Sequence, residues 1–341
     1  MVYALRVLPD ESPVRPAYEV ERLTARAVRI SVTDRCDMAC VYCRPSFADG
    51  YLPTEERLEL DEWERLVRGL RATGVTRVRI TGGEPLLHRE IVPIVERLSQ
   101  LGLEDLAMTT NASRLEAVAG PLRRAGLRRL TISLDSLDAQ VFASITRGGR
   151  LESVLAGIES ACAAGFDELK TNTVVVRGVN DGELETITRW AWARRITPRF
   201  LEIMGVGEGA RIFRTRGVAY DEMRERLASL LAPGDARTDR DRGPARYARS
   251  RDGAQRVGFI TGTSNTFCGD CDRLRVTSDG MLRPCLSRPE GVSVVDALAG
   301  EDSDARVAER LVQAWSVKPD GEWKGCTEAT AAKVSMRATG G

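Results

Sequence analysis

Apolar, β-branched segments alternate with segments of helical periodicity over the first two thirds of the chain. Strands are predicted at residues 27–32, 76–81, 106–109, 129–134, 169–176 and 199–204. Helices are predicted at residues 61–73, 89–101, 115–125, 139–145, 151–164 and 183–194. Asp61 is a suitable N-cap for the first helix, and three others are followed by the stop signals Gly102, Gly126 and Gly165. These units predict a parallel sheet with outer helices, which right-handed crossovers curl toward a partial barrel.

The pattern changes after about residue 231. Residues 237–256 are rich in arginine, aspartate and glycine without a clean period, which indicates a solvated loop or an irregular connection. Short strands are predicted at residues 256–260, 274–277 and 281–284, the last two joined by the turn Ser278-Asp279-Gly280, and a helix follows at 304–315. We therefore expect an α/β protein, with a partial (β/α)6 TIM-like barrel in residues 1–235 and a C-terminal extension carrying a small β-sheet in residues 236–341.

Composition narrows the functional classes. The 341 residues carry a net charge of +1 and are 43% hydrophobic, so bulk electrostatics indicate neither a nucleic-acid partner nor a membrane surface. Residues 1–10 lack a signal-peptide pattern, and no run of about 20 apolar residues could span a membrane. We expect a cytoplasmic protein whose eight cysteines are metal ligands or reactive groups rather than a disulfide framework.

His88 is the only histidine of the chain. The lack of a second imidazole argues against Ser-His-Asp and Cys-His hydrolases and against a histidine-rich zinc site. We expect His88 to be structural, and any difficult chemistry to depend on cysteine-bound metal or a cofactor.

The first thiol set, Cys36, Cys40 and Cys43, directly follows the first strand with the spacing C-x3-C-x2-C. Three thiolates on a short loop can bind three irons of a [4Fe–4S] cube and leave the fourth iron open to a small molecule. A zinc site would usually need a fourth protein ligand, and no histidine lies nearby. The spacing favours a cluster over a zinc site or a chance occurrence.

A second thiol set lies in the C-terminal extension. Cys268, Cys271 and Cys285 have the spacing C-x2-C-x13-C, and the predicted hairpin would return Cys285 to the other two. Cys162 lies in an apolar helix and is read as a buried small hydrophobe. Cys326 is either a fourth ligand or a chance occurrence in the polar tail. The second set therefore predicts a second Fe–S site with an open iron.

Polar residues follow the predicted strands where barrel enzymes build their active sites. The second strand ends in Thr81-Gly82-Gly83-Glu84-Pro85, where glycine exposes backbone groups to a ligand and Glu84 can accept a hydrogen bond from an ammonium. Other candidates at strand ends are Thr109, Asn111, Ser133, Lys170, Asn172, Glu202 and Met204. Ser113, Asp135 and Ser136 are read instead as N-caps of the following helices.

These motifs resemble those of the radical SAM superfamily. The first cysteine motif, with Tyr42 before its last cysteine, and Gly82-Gly83-Glu84-Pro85 carry the resemblance. Within that superfamily the chain is similar to the MoaA family, the GTP 3′,8-cyclases of molybdenum cofactor synthesis. That similarity rests on Arg29-Ile-Ser-Val-Thr-Asp-Arg-Cys36, on Cys268-x2-Cys271-Asp-Arg273-Leu-Arg275 and on Leu282-Arg-Pro-Cys285. It runs from about Ala27 to the terminal Gly340-Gly341.

The resemblance implies two [4Fe–4S] clusters on the two thiol sets, with S-adenosylmethionine (SAM) on the open iron of the first and GTP on that of the second. The implied SAM contacts are Tyr42, Gly83, Glu84, Ser133 and Met204. The implied nucleotide contacts are Arg29, Arg79, Thr109, Lys170, Arg273 and Arg275, with Gly340 and Gly341 entering the active site. Arg29, Arg273 and Arg275 are also expected to serve catalysis. Because Arg273 and Arg275 alternate on one strand, both should face the same side.

The implied reaction begins when a 5′-deoxyadenosyl radical takes the C3′ hydrogen of GTP. The C3′ radical attacks C8, and reduction gives 3′,8-cyclo-7,8-dihydro-GTP for a separate pterin-forming enzyme. By the same resemblance, flavodoxin or ferredoxin is the expected electron donor, and a homodimer is compatible with the chain.

The chain departs from the family pattern at several positions. Asp272 stands where asparagine or threonine is common, Arg77 where lysine is common, and Thr266 where many members carry histidine. Ala112 replaces a glycine, and Lys318-Pro319 lacks the histidine that often follows. These departures leave open a paralogue acting on another nucleotide. The sequence is also compatible with a radical SAM enzyme that modifies peptides, or with a non-catalytic nucleotide-binding protein stabilised by zinc or a cluster.

Overall fold

The computed structural model describes residues 25–44, 50–234, 243–269, 271–319 and 336–339. Its strands are β1 (Ala27–Ser31), β2 (Arg77–Thr81), β3 (Asp105–Thr110), β4 (Arg129–Ser133), β5 (Glu168–Val174), β6 (Thr197–Leu201), β7 (Ala245–Arg249), β8 (Arg256–Ile260), β9 (Arg273–Val276), β10 (Met281–Arg283) and β11 (Val292–Ser293). Its α-helices are α1 (Leu60–Ala72), α2 (Ile91–Ser99), α3 (Leu115–Arg124), α4 (Ala139–Thr146), α5 (Leu151–Ala164), α6 (Leu184–Ala193), α7 (Gly209–Arg216), α8 (Tyr220–Arg226), α9 (Ser303–Ser316) and α10 (Met336–Thr339). Short 3-10 helices lie at Thr54–Glu56, Pro85–Leu87 and Asp296–Leu298.

All described strands belong to one sheet, in the order β11-β10-β9-β1-β2-β3-β4-β5-β6-β8-β7. Strands β1 to β6 are parallel neighbours in sequence order. The extension lengthens this sheet at both edges: β8 is parallel to β6 and β9 is parallel to β1. Beyond them, β7, β10 and β11 are antiparallel. The predicted α/β barrel-like fold with a C-terminal extension is confirmed, and the strands of the extension continue the barrel sheet.

Strands β1 and β2 carry apolar side chains on one face and arginine on the other. In β1, Val28 and Ile30 are fully buried in the core that the helices cover, whereas Arg29 between them points to the other face. In β2, Val78 and Ile80 alternate with Arg79 in the same way. The apolar face buries the main core of the molecule, and the polar face lines a cavity. Because β9 and β7 from opposite ends of the strand order both line that cavity, the sheet must curve around it.

Two predictions of local structure are wrong. The segment read as a solvated loop contains β7, whose Ala245, Tyr247 and Ala248 are buried against β8. Helix α1 begins one residue before Asp61, and its N-cap is Glu59. Glu59 and Glu62 form a reciprocal capping box, in which the Glu59 amide donates to Glu62 Oε2 at 2.8 Å. Two side chains that each satisfy one amide donor thus outcompete a single cap at Asp61.

The predicted hairpin between β9 and β10 is confirmed by their antiparallel pairing. Among the described residues, no helix combines the length and the apolar character that crossing a bilayer requires.

Candidate active site

One cavity of about 910 Å³ extends along the inner face of the sheet and is lined by residues at both ends of the parallel strands. Both predicted thiol sets line it: Cys36, Cys40, Cys43, Cys268, Cys271 and Cys285. None of the seven described cysteines is in a disulfide, and the seventh, Cys162, lies outside the cavity. The two sets therefore face a shared chamber, as the sequence interpretation required. Cys326 lies outside the described residues.

The first thiol set is held by contacts between its loop and the end of helix α4. The amides of Ala39 and Val41 donate to Thr146 and Ile145 at the end of α4, and the Met38 amide points to Cys36 Sγ at 3.5 Å. Burial raises the pKa of Cys36 to about 12, so the thiol form is stable without metal. Metal binding would therefore release protons from this site.

The Gly82-Gly83-Glu84 turn packs directly on the loop that leads into Cys36. The amides of Gly83 and Glu84 donate to Thr33 and Arg35 carbonyls, each at 2.7 Å. A Cβ on Gly83 would lie 2.3 Å from the Arg35 carbonyl oxygen, so only glycine allows this approach. The Gly83 amide thus serves the cysteine loop, whereas exposure of the glycine backbone to a ligand stays a prediction, since both glycines also line the cavity.

Glu84 is fully buried at the cavity wall. It accepts hydrogen bonds from the Leu86 and Asn111 amides and from the Thr110 hydroxyl, at 3.0, 2.6 and 2.6 Å. Burial raises the pKa of Glu84 to about 7, although these three donors oppose the shift. A ligand ammonium beside it would favour the carboxylate.

Asp135 is a site residue that the sequence interpretation missed. The predicted cap at Asp135 is wrong, because Asp138 caps α4 and Asp135 accepts a hydrogen bond from the Tyr42 hydroxyl at 2.6 Å. The Val174 amide donates to its other carboxylate oxygen at 2.9 Å. The pair fixes the Tyr42 ring, and with it the cysteine loop, to the ends of β4 and β5.

The caps predicted at Ser113 and Ser136 are also wrong. Ser113 donates to the Asp37 carboxylate at 2.7 Å, and so links the end of β3 to the cysteine loop. Ser136 donates to Glu183 at 2.7 Å.

His88 is structural as predicted, since its Nδ1 accepts from the Glu90 amide at 3.2 Å.

Cationic side chains cover the inner face of the sheet between the two thiol sets. Strand register places Arg275, Arg29 and Arg79 side by side on β9, β1 and β2. Arg273, Lys170 and Arg199 extend this group, and all six line the cavity. Burial, together with the neighbouring Arg199 in one case and Arg273 in the other, lowers the pKa of Arg79 and of Arg275 to about 10. Cations held so close in a buried site favour a polyanionic ligand.

Polar contacts orient these cations toward the cavity. Arg79 Nη1 lies 3.2 Å from Thr131 Oγ1 and 3.5 Å from Thr109 Oγ1, and Arg199 Nη2 donates to the same Thr131 oxygen at 3.1 Å. Lys170 pairs with Glu168 at 2.7 Å. Four buried atoms of cavity-lining residues have no hydrogen-bond partner within the described ranges: Arg77 Nε, Arg129 Nε, Asn172 Oδ1 and Arg199 Nε. Arg199 was assigned no role from the sequence, and Tyr247 beside it was missed together with β7.

The second thiol set lies beside aromatic and cationic groups. Arg273 Nη2 is 3.4 Å from Cys271 Sγ, and its guanidinium carbon is 4.8 Å from the centre of the Phe267 ring. Cys285 Sγ is 3.2 Å from Ser287 Oγ. Arg77 forms an ion pair with Asp272, so two of the departures from the family pattern neutralise each other.

All the SAM and nucleotide contacts predicted within the described residues line this cavity: Tyr42, Gly83, Glu84, Ser133 and Met204 on one part, and Arg29, Arg79, Thr109, Lys170, Arg273 and Arg275 on the other. Gly340 and Gly341 lie outside the described residues. Thr339, which directly precedes them in the chain, is buried, and its carbonyl accepts from Arg275 Nη1 at 2.9 Å.

The cavity wall fits the implied cofactors. Three thiols at each end offer soft sulfur ligands and leave one iron of a cube without a protein ligand. Within the described ranges, no three His, Cys, Asp or Glu side chains converge on a single metal position. The buried Glu84 suits a ligand that carries an ammonium group, and the unpartnered Nε–H donor of Arg199 suits an anionic ligand.

Comparison with known proteins agrees with this arrangement. Residues 30–191 match the radical SAM superfamily model, and residues 196–323 match the Molybdenum Cofactor Synthesis C model. The chain is 43% identical over 303 residues to the GTP 3′,8-cyclase of Marinobacter nauticus, covering 87% of this chain and 90% of the relative. It is 40% identical over 319 residues to GTP 3′,8-cyclase 2 of Pseudomonas aeruginosa, covering 92% and 95%.

A solved structure gives the same fold. SuiB of Streptococcus suis bound to S-adenosylmethionine superposes with a TM-score of 0.57 at 16% identity, over 79% of this chain and 63% of SuiB. The chain therefore belongs to the radical SAM superfamily and, within it, to the GTP 3′,8-cyclase family.

Proposed function

We propose that this chain converts GTP to 3′,8-cyclo-7,8-dihydro-GTP for molybdenum cofactor biosynthesis, with SAM and two [4Fe–4S] clusters as cofactors. The observation that carries the proposal is the shared cavity in which a cation belt lies between two thiol triplets. The belt consists of the buried Arg199 and the partly buried Arg29, Arg79, Lys170, Arg273 and Arg275. The curated relatives named GTP 3′,8-cyclase, at about 40% identity over most of the chain, support GTP as the substrate.

Cys36, Cys40 and Cys43 would hold the first cluster, and Cys268, Cys271 and Cys285 the second. When bound, the reduced first cluster and SAM supply a 5′-deoxyadenosyl radical, the species that removes the C3′ hydrogen in a 3′,8-cyclisation. The Glu84 carboxylate would accept from the SAM ammonium, and the Asp135–Tyr42 hydrogen bond would hold Tyr42 in place. Gly83, Ser133 and Met204 complete the SAM side of the cavity.

The nucleotide would lie along the cation belt. Arg29, Arg79, Lys170 and Arg199 suit the triphosphate, because guanidinium groups bind phosphate oxygens in bidentate fashion and lose their mutual repulsion when they do. Arg273 and Arg275, beside the second thiol set, would orient the purine and ribose, with Thr109 at the opposite strand end. The diglycine Gly340-Gly341 would approach the same region, which the position of Thr339 on Arg275 supports. Positioning of C3′ is the main contribution of these residues to catalysis.

Further parts of the proposal concern organisation and partners. The barrel would comprise residues 1–235 and the auxiliary-cluster region residues 236–341. A reduced flavodoxin or ferredoxin would donate the electron, a pterin-forming enzyme would consume the product, and the chain would form a homodimer.

An anaerobic assay tests the function. Reconstituted protein, dithionite, SAM and GTP should yield equal amounts of 5′-deoxyadenosine and cyclised nucleotide. Cys36→Ala should abolish both products, and Cys285→Ala should abolish the cyclised nucleotide. Cys162→Ala, at a thiol outside the cavity, should leave both unchanged.

A slow release of 5′-deoxyadenosine that GTP does not accelerate, with no cyclised nucleotide, would refute the assignment of GTP. ATP, ITP and a panel of peptides in the same assay would then identify the substrate class.

A further inference from the structure

The side chain of Lys318 bridges the two segments that carry the second thiol set. Its ammonium Nζ donates to the main-chain carbonyl of Arg273 at 2.7 Å and to that of Pro284 at 2.8 Å. Arg273 lies two residues after Cys271, and Pro284 directly precedes Cys285. One ammonium thus ties together the two approaches to the proposed cluster.

The position of this bridge matters because the β9–β10 ladder stops short of the cysteines. The register of the ladder runs from Leu282↔Val276 to Arg283↔Arg275. Cys271 and Cys285 lie beyond that last pair, where the two segments extend toward the cavity. Two charge-assisted hydrogen bonds at this point restrict the separation of the segments.

Lys318 is itself held by the fold. It follows α9, which packs on α1, and its amide donates to the Trp315 carbonyl at 3.0 Å. The ammonium lies 5.0 Å from the centre of the Trp315 ring. A compact ammonium with three donors suits two carbonyls and one aromatic face.

We propose that Lys318 is a positioning residue for the second [4Fe–4S] cluster, which it retains by fixing the segments of Cys271 and Cys285 relative to each other. The inference rests on the proposed function, because it requires that Cys268, Cys271 and Cys285 bind a cluster. Lys318 acts through the main chain that carries the ligands, because both of its hydrogen bonds go to carbonyls of that main chain.

Two full-length variants, each lacking one thiol set, allow the two cluster sites to be measured separately. In the first, Cys36, Cys40 and Cys43 are replaced by alanine, so that bound iron reports the second site alone. In the second, Cys268, Cys271 and Cys285 are replaced, so that iron reports the first site. Lys318→Met and Lys318→Arg are introduced into each background. The matched control is Arg310→Met, which removes a cation of α9 that pairs with Asp296. Iron release to a chelator and the EPR spectrum of the reduced cluster are measured after anaerobic reconstitution.

We expect Lys318→Met to speed iron release from the second site about tenfold, the size of effect that outer residues have on metal retention, and to broaden its EPR signal. Lys318→Arg should release iron more slowly than Lys318→Met because it keeps the charge and the donors. The first site and the Arg310→Met control should not change. Equal release from Lys318→Met and its parent, or equal acceleration at both sites, would overturn the positioning role. If the variant with Cys36, Cys40 and Cys43 replaced, but with Lys318 intact, binds no cluster, the assignment of the second cluster is refuted as well.

Discussion

At the scale of single residues, Arg77 and Asp272 show how two unusual side chains form one neutral unit. Their ion pair lies beside Cys271, and the Asp272 carbonyl also accepts from the amides of Arg26 and Ala27. The main chain of Asp272 is therefore held by hydrogen bonds, and the negative charge of its carboxylate is neutralised by Arg77. An acid beside a nucleotide site is compatible with GTP under these conditions.

This coupling predicts the behaviour of three variants in GTP binding. Arg77→Met exposes the Asp272 carboxylate to the nucleotide and should weaken binding about tenfold, which corresponds to about 1.4 kcal/mol. Asp272→Asn should not weaken binding. The double variant should return to within about threefold of the parent, because removal of both charges of a coupled pair restores neutrality. Anaerobic equilibrium binding provides the dissociation constants. A double variant as weak as Arg77→Met would mean that Arg77 contacts the nucleotide itself.

Glu84 predicts a pH dependence of SAM binding. Burial raises its pKa to about 7, so the ligand-free protein holds Glu84 increasingly protonated as the pH falls below 7. Only the carboxylate pairs with an ammonium, so the apparent dissociation constant for SAM should be several-fold to about tenfold higher at pH 6 than at pH 7.5. Binding at pH 6 should release a proton, which calorimetry in two buffers of different ionisation enthalpy measures.

The same shift has a consequence for folding. A carboxyl whose folded pKa lies above its unfolded value stabilises the fold fully below pH 4.5 and loses that contribution as the pH rises through 7. Glu84→Gln should remove this slope in unfolding experiments, together with the proton release. A dissociation constant for SAM that is equal at pH 6 and pH 7.5 would contradict the assignment of Glu84.

At the scale of elements, most helices and strands could be predicted because their patterns are long and their punctuation is strong. Helix α5 was predicted with its observed bounds, and its Gly165 has a φ of 72°, the left-handed conformation of a helix end. Strand β7 could not be predicted, because its sequence Ala-Arg-Tyr-Ala-Arg has little β-branched character. It forms because β8 offers a ladder of five residue pairs. Because β7 has no clear strand pattern, the position of Tyr247 at the cavity could not be predicted either.

Helices α7 and α8 were also missed, for a related reason. Within α7 only Gly209 is buried, so no apolar stripe marks the helix. Helix α8 is seven residues long, too short for a clear period. Such elements are stabilised by their neighbours rather than by their own periodicity.

The site could be predicted where it depends on spacing and not where it depends on sheet register. Cysteine spacing identified the two thiol sets, but the role of Arg199 emerges only when β6 is placed beside β5 and β8. A usable signal was present in the strands themselves. Parallel strands buried on both faces are nearly all apolar, yet β1, β2 and β9 alternate apolar residues with arginine. That alternation indicates a polar inner face.

At the scale of the whole molecule, the cavity stores electrostatic repulsion that the substrate relieves. Burial and four neighbouring guanidiniums, of Arg275, Arg79, Arg273 and Arg199, together hold the pKa of Arg29 well below its usual value. Helices and the outer core must stabilise the fold against this repulsion. A ligand-free protein of this design trades stability for affinity toward a polyanion.

Arg199→Met tests this trade. Removal of one cation should raise the melting temperature of the ligand-free protein, because a buried guanidinium with an unpartnered Nε is replaced by an apolar side chain of similar length. At a GTP concentration about 100 times the parent dissociation constant, stabilisation by GTP is about 2.7 kcal/mol in the parent. It should fall to about 0.4 kcal/mol if the variant binds about 100-fold more weakly.

Arg189→Met is the matched control, since Arg189 pairs with Glu185 on the exposed surface of α6, away from the cavity. It should change neither the free energy of unfolding of the ligand-free protein nor the stabilisation by GTP by more than about 0.5 kcal/mol. A lower ligand-free melting temperature in Arg199→Met, with the GTP-induced shift intact, would show that Arg199 supports the fold rather than the nucleotide. The repulsion in the cavity would then be a by-product of packing, and the affinity for GTP would have to come from Arg29, Arg79, Lys170, Arg273 and Arg275 alone.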